Sequence, residues 1–143
     1  MFAFVATLAC GSFFGAALYI SLAQVPAILE MGGEFAGRFF GPNYRRAARL
    51  AAPLAVVGSI MAMLSWLTGS GAAWLLGGLL LFAVIPLTFI RIMPINRQLL
   101  DPNRPPTAPD TEELLQRWGR LHAIRTALSG LAFVIFLAKL ALS

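Results

Sequence analysis

One histidine occurs in this chain, and two residues of complementary chemistry are placed to share its surroundings. Trp118, His122 and Arg125 are spaced i, i+4 and i+7, so on a helix they occupy one face. Leu114, Leu115, Leu121 and Ser129 extend that face. Imidazole is the only side-chain type here whose ordinary titration lies near neutral pH, which makes His122 the candidate general base. Its polar neighbours must come from elsewhere in the chain. Tyr19, Ser21 and Gln24 are available from an early segment, Asn43, Tyr44, Arg45 and Arg49 from a second, and Thr88 and Asn96 from a third.

The elements that position these residues follow from where the charges lie. All six acids and ten of the eleven bases fall in two stretches, Glu30–Arg49 and Arg91–Arg125. Only 12% of residues are charged, against about 25% in an ordinary soluble domain. A helix needs about 20 residues to cross a hydrocarbon core of about 30 Å. The chain supplies four such stretches, at about 2–23, 50–67, 72–90 and 121–142, with Thr68-Gly69-Ser70-Gly71 turning between the second and third. The predicted fold is a single all-α domain, residues 1–143, built as a bundle of four transmembrane helices with two cytoplasmic loops. The fourth helix starts early: Asp110 with Glu113 fits a capping box, and no proline occurs from there to the end of the span. Its first turns therefore extend into the cytoplasm or lie on the membrane surface.

Arginines concentrate beside the two long loops, so the positive-inside rule places both loops in the cytoplasm and both termini outside, in a bacterial-type inner membrane. Arg45, Arg46 and Arg49 read as topology signals that touch anionic lipid, and Phe35, Phe39 and Phe40 as the seat of a short interfacial helix. Trp66 and Trp74 flank the outer turn, as an aromatic belt would. Gly11 with Gly15, and Gly58 with Ala62, are small-residue pairs suited to packing inside the bundle, and they imply no dimer. Met1–Leu29 carries no charged side chain, so it lacks the basic region of a signal peptide and reads as a retained helix.

Several functions are excluded, and others, nucleic-acid binding and a small exporter, are weighed against. A net charge of +5 is explained by topology rather than nucleic acid, since the bases flank apolar spans. One cysteine cannot run a disulfide relay, and one histidine with one cysteine cannot supply a structural zinc site or a bis-histidine haem. No metal site is expected. A small exporter needs an acid within its first span for proton coupling, and the first acid here is Glu30, beyond Pro26. The remaining feature is a polar cluster at membrane depth, which marks a functional site by default. Plainer roles stay open beside that reading. His122 can bond a loop carbonyl, Arg125 a lipid phosphate, Trp118, Tyr19 and Gln24 can anchor the interface, and Asn96 can cap a turn.

Three pieces of the chain carry a resemblance. They are Gly15-Ala16 through Pro26, Ile85-Pro86-Leu87-Thr88 leading into Pro94-Ile95-Asn96-Arg97-Gln98-Leu99, and Trp118-Gly119-Arg120-Leu121-His122-Ala123-Ile124-Arg125-Thr126. With these the chain resembles the anthrone oxygenase-like family of small four-helix membrane proteins, formerly a domain of unknown function. The resemblance implies oxygenation of anthrones to anthraquinones without metal or flavin, hence no cofactor. The partner implied is a lipophilic small molecule reached from the membrane lipid. His122 would remove the acidic methylene proton, and Arg125 and Asn96 would stabilise the enolate as catalytic residues. Trp118, Thr88, Tyr19 and Gln24 would bind substrate. A second reading is a non-catalytic membrane protein that binds a quinone-like lipid or supports a partner complex.

Overall fold

The computed structural model describes residues 1–142 and is all-helical among them. Four long helices succeed one another: α1, Phe2–Glu30; α2, Gly33–Leu67; α3, Ala72–Leu99; and α4, Thr111–Ala141. Each is long and apolar enough to cross a membrane. Consecutive helices pack side by side and α1 closes the ring against α4, so the bundle runs up, down, up, down. Its outer surface is apolar on every helix, with Phe4, Leu22, Ile60, Leu79, Phe82 and Val134 all exposed. A surface of that kind suits lipid and not water, and the chain is a membrane protein.

The half of the bundle nearest the termini is packed by small residues against large ones. A methyl group on Gly77 would stand 2.4 Å from the Phe136 ring, and one on Gly130 2.7 Å from Phe14. Gly11 faces Phe133 and Gly58 faces Leu81 in the same way. Gly11, Gly58 and Ala62 thus serve packing within the bundle, whereas Gly15 is exposed with nothing beside it and does not. Trp74 differs from its expected place in an aromatic belt. It is buried and stacks on Phe136 with ring centroids 4.9 Å apart, because Gly77 lets the Phe136 ring lie close against α3.

The other half carries the bases, and here the first expected loop is a helix. The chain leaves α1 through Met31 and Gly32, whose φ of 90° makes the tight reversal, and enters α2 at once. Phe35, Phe39 and Phe40 therefore lie in the opening turns of a 35-residue helix rather than in a separate interfacial one. Pro42 and Pro53 do not break it. Both are exposed, and the carbonyls they leave without a donor belong to Arg38 and Arg49, which are exposed as well.

The connection 100–110 is a proline-rich turn that packs its Pro106 backbone onto Gly37 of α2, where a Cβ would meet the Pro106 carbonyl at 2.7 Å. Arg104 clamps the turn. It pairs with the Asp110 carboxylate and bonds Thr111 Oγ1 at 3.1 Å. The expected capping box is absent, since Asp110 makes no side-chain cap bond and its carboxylate is taken by Arg104. That hydrogen bond holds the Asp110 carboxyl below its ordinary range. The clamp is therefore intact above the ordinary carboxylate range and is lost only as pH falls through the depressed value.

Gly77→Ala is expected to destabilise the bundle by about 1–3 kcal/mol through overpacking against Phe136. Gly15→Ala, with nothing within 4 Å of the new methyl, is expected to be neutral or slightly stabilising. Thermal unfolding in detergent, comparing each variant with wild type, checks both.

Candidate functional site

Two helices are distorted at the basic half of the bundle, and both distortions have a cause in the sequence. Ile20–Gln24 of α1 and Thr88–Ile92 of α3 are single π turns. Each is followed by a proline, in Val25-Pro26 and in Met93-Pro94. A proline inside a helix clashes with the carbonyl four residues earlier, Leu22 for Pro26 and Ile90 for Pro94, and a wider turn relieves the clash. Backbone bonds switch accordingly to i→i−5, with Val25 N–H donating to the Ile20 carbonyl and Met93 N–H to the Thr88 carbonyl. Single π turns occur often at functional sites. These two flank a cavity.

The cavity has a volume of about 330 Å³ and is lined by all four helices. It exists because α2 presents alanines where α4 presents large groups. Ala47, Ala48, Ala51, Ala52 and Ala55 form one stripe on α2, facing Leu115, Trp118, His122 and Arg125 on α4. From α1 come Phe13, Ala17, Ile20 and Gln24, and from α3 Val84, Ile85, Thr88 and Met93. Leu50 and Val56 of α2 and Phe89 of α3 line the cavity and are also exposed on the outer surface, Phe89 at 64%. The cavity thus opens sideways between α2 and α3, toward lipid. Pockets for drug-sized molecules run about 300–1,000 Å³, so this one has room for a small fused aromatic and not for a whole phospholipid.

Five of the seven residues expected from the sequence line this space: His122, Arg125, Trp118, Thr88 and Gln24. Gln24 donates through Nε2 to Asn43 Oδ1 at 3.2 Å, a polar pair on an otherwise apolar wall. Thr88 donates its hydroxyl proton to the Val84 carbonyl at 2.7 Å, rather than to the Phe82 carbonyl that Pro86 leaves free. Two residues stand elsewhere. Tyr19 is 63% exposed and outside the wall, because two positions on from Ala17 is more than half a helical turn and points the side chain away. Asn96 is fully buried but stands behind the wall. Its Oδ1 accepts from Trp118 Nε1 at 2.8 Å, and since indole can only donate, the amide orientation is fixed by that bond. Asn96 Nδ2 is left without a partner.

Trp118 is held on three sides. Asn96 fixes its edge, Phe40 meets it edge-on at 5.6 Å and 88°, and His122 stacks on it at 4.7 Å and 22°. Phe40 stacks in turn on Tyr44, which also lines the cavity. The Arg125 guanidinium lies over the Phe13 ring at 5.4 Å, and its buried Nε has no hydrogen-bond partner.

The orientation of His122 is set by two hydroxyls outside the seven expected site residues. Ser21 Oγ lies 3.1 Å from His122 Nδ1 and 2.8 Å from Thr126 Oγ1. Thr126 Oγ1 in turn lies 3.2 Å from the carbonyls of Ala17 and of His122. Each hydroxyl has one proton. If Thr126 donates to a carbonyl, Ser21 must donate to Thr126, and Ser21 can then only accept from Nδ1–H. The opposite order abandons both carbonyl bonds. The order that keeps a Thr126–carbonyl bond carries the proton on Nδ1 and leaves Nε2 with a free lone pair, without a partner among the described residues. Thr126 carries a sequence signal, as the polar residue four positions after His122. Ser21 stands out in the sequence only as a polar residue at a similar depth. The alanine stripe shows its meaning only when α4 is placed opposite.

Among the described residues no group of three or more His, Cys, Asp or Glu could hold a metal ion. A family model described as anthrone oxygenase matches residues 40–135, well over half of the chain. No curated protein and no solved structure matches it.

Because the chain has a single histidine, nitrogen NMR of isotope-labelled histidine reads this one ring. The expected spectrum shows Nδ1 protonated and Nε2 bare near neutral pH. Ser21→Ala should convert it to a mixture of tautomers. A wild-type ring protonated on Nε2 would contradict the network.

Proposed function

The chain belongs to the anthrone oxygenase family, and from that premise we propose that it is a membrane-embedded oxygenase acting on an anthrone or another flat, phenolic, lipophilic ring system. The observation that supports this most is a single cavity wall carrying a base and a fixed cation, with the base lone pair left free. The substrate reaches the cavity from lipid, through the opening between α2 and α3. It lies with one face on the alanine stripe and its edge toward Trp118 and His122. The basic half of the bundle faces the cytoplasm in this reading, and both termini face the opposite side.

The chemistry asks for no metal or flavin. His122 Nε2 takes one proton from the methylene carbon flanked by two aromatic rings, and the negative charge spreads to the carbonyl oxygen. Arg125 stabilises that oxygen, as a preorganised donor at a developing oxyanion does. The carbanion gives one electron to O₂, and the radical pair joins into a carbon–oxygen bond. The peroxide is protonated by the histidinium. Loss of the second methylene proton then breaks the O–O bond, leaving a new carbonyl and one water. Anthrone and O₂ become anthraquinone and water, with every atom and electron assigned. Asn96 acts as a positioning residue in this scheme: it sets Trp118, which carries the imidazole on its face. Ser21 and Thr126 position the base from the other side.

Oxygen uptake by the purified protein in nanodiscs with a simple anthrone tests the proposal. Uptake above the spontaneous rate is expected. His122→Ala should lower it by about 10²–10⁴-fold, the ordinary contribution of a general base. Uptake equal to that of empty nanodiscs would overturn the reading and leave a ligand-binding role for the same cavity.

Ala51→Phe fills the cavity from the α2 side, whereas the hydroxyls that hold His122 belong to α1 and α4. It is expected to abolish uptake while the histidine spectrum keeps its wild-type tautomer. Full activity in this variant would place the substrate somewhere else.

A further inference from the structure

A guanidinium largely withdrawn from solvent normally has an anion beside it, because leaving a charge in apolar surroundings without a partner is costly. Arg125 has none. Its Nε is buried and unbonded, and no aspartate or glutamate lines the cavity. The other titratable groups on the wall are Tyr44 from α2 and His122 from α4. Neither α1 nor α3 contributes one, since their polar lining residues are Gln24 and Thr88. Gln24 and Asn43 are neutral amides joined by one hydrogen bond, and neither supplies a counter-charge. The Phe13 ring beneath the guanidinium gives a cation–π contact, which partly compensates the charge without neutralising it. Arginine cannot escape by losing its proton. The missing counter-charge therefore has to come from the occupant.

We infer that the cavity holds its ligand as an anion, a lipophilic weak acid of the phenol class whose ionised oxygen sits against Arg125. This rests on the proposed reading of the site as one for flat phenolic rings, and adds that the charge is already present in the bound ground state. The ligand's O–H bond breaks on binding, its electron pair stays on oxygen, and the proton goes to the buffer. A neutral aromatic ketone or hydrocarbon of the same shape would leave the guanidinium uncompensated and would bind less tightly.

The test uses a hydroxyanthraquinone with its hydroxyl remote from the ketone, whose phenolate absorbs at longer wavelength than its phenol. It is titrated with pH in phosphatidylcholine nanodiscs, with and without the protein, and its binding is established separately by co-elution. An adjacent positive charge lowers the ionisation midpoint of an acid by about one to three units, and a shift of that size is expected for the bound dye. Arg125→Met should remove the shift and Arg125→Lys should retain most of it. His122→Gln should leave it in place, which separates the guanidinium from the imidazole. A bound dye with an unchanged or raised midpoint overturns the inference, even if Arg125→Met fails to fold. So does a shift that vanishes when phosphatidylglycerol replaces phosphatidylcholine, since a lipid phosphate would then be the partner of Arg125. Failure here is distinct from failure of the oxygenase reading. Oxygen uptake without a shift removes only the anionic ground state, and a shift without uptake removes only the catalysis.

Discussion

Arg125 cannot shed its charge, and the apolar bundle around it contains nothing of opposite sign on the cavity wall. That constraint accounts for the arrangement at the basic half. The guanidinium is laid over Phe13, whose ring face offers it electron density, and is kept at the edge of a space rather than packed into protein. The space itself is left by the alanine stripe of α2, whose small side chains do not fill the gap toward α4. In the other half the same four helices meet through glycines that admit Phe14, Phe133, Phe136 and Leu81, and the space left there is an open groove between α1 and α4 lined by Phe4, Leu8, Phe133 and Leu137. One half gives the bundle rigidity. The other trades packing for a chamber.

The π turns link backbone to chemistry. In an apolar bundle every backbone donor and acceptor must be satisfied inside its own helix or by a neighbour. Pro26 and Pro94 each disturb that pattern beside the cavity, and the wide turns absorb the disturbance at Ile20–Gln24 and Thr88–Ile92. The first of these turns carries Ser21 and Gln24, one bonded to the imidazole and the other facing into the cavity. The second opens with Thr88. Two of the four helices thus reach the site through the segments where their backbones depart from regular geometry.

The spans of the four helices are legible in the sequence because charge placement in a membrane chain is coarse and strong. The shared face of Trp118, His122 and Arg125 is legible because the helical period is. Other features depend on information that one segment does not contain. Tyr19 departs from its expected place because depth along a helix says nothing of phase around it, and a side chain two positions from Ala17 faces outward. Asn96 has the right depth, but its task is to fix Trp118, which only the tertiary contact reveals. The helical start of α2 is hidden by arginines and Pro42, a proline that sits exposed in the helix without breaking it. Likewise the Arg104 clamp removes Asp110 from its expected capping role.

The central claim is that the space between the alanine stripe and Trp118 is where a flat aromatic binds, and photochemical attachment tests it most directly. An anthraquinone, excited by light in nanodiscs containing the protein, abstracts hydrogen from nearby C–H bonds and forms covalent adducts that mass spectrometry can map. Adducts concentrated in 47–56 of α2 and 115–125 of α4, and removed by an excess of unlabelled anthrone, are the predicted result. Adducts confined to the shallow groove between Phe4 and Phe133, or spread evenly over the lipid-facing surface, would contradict the account.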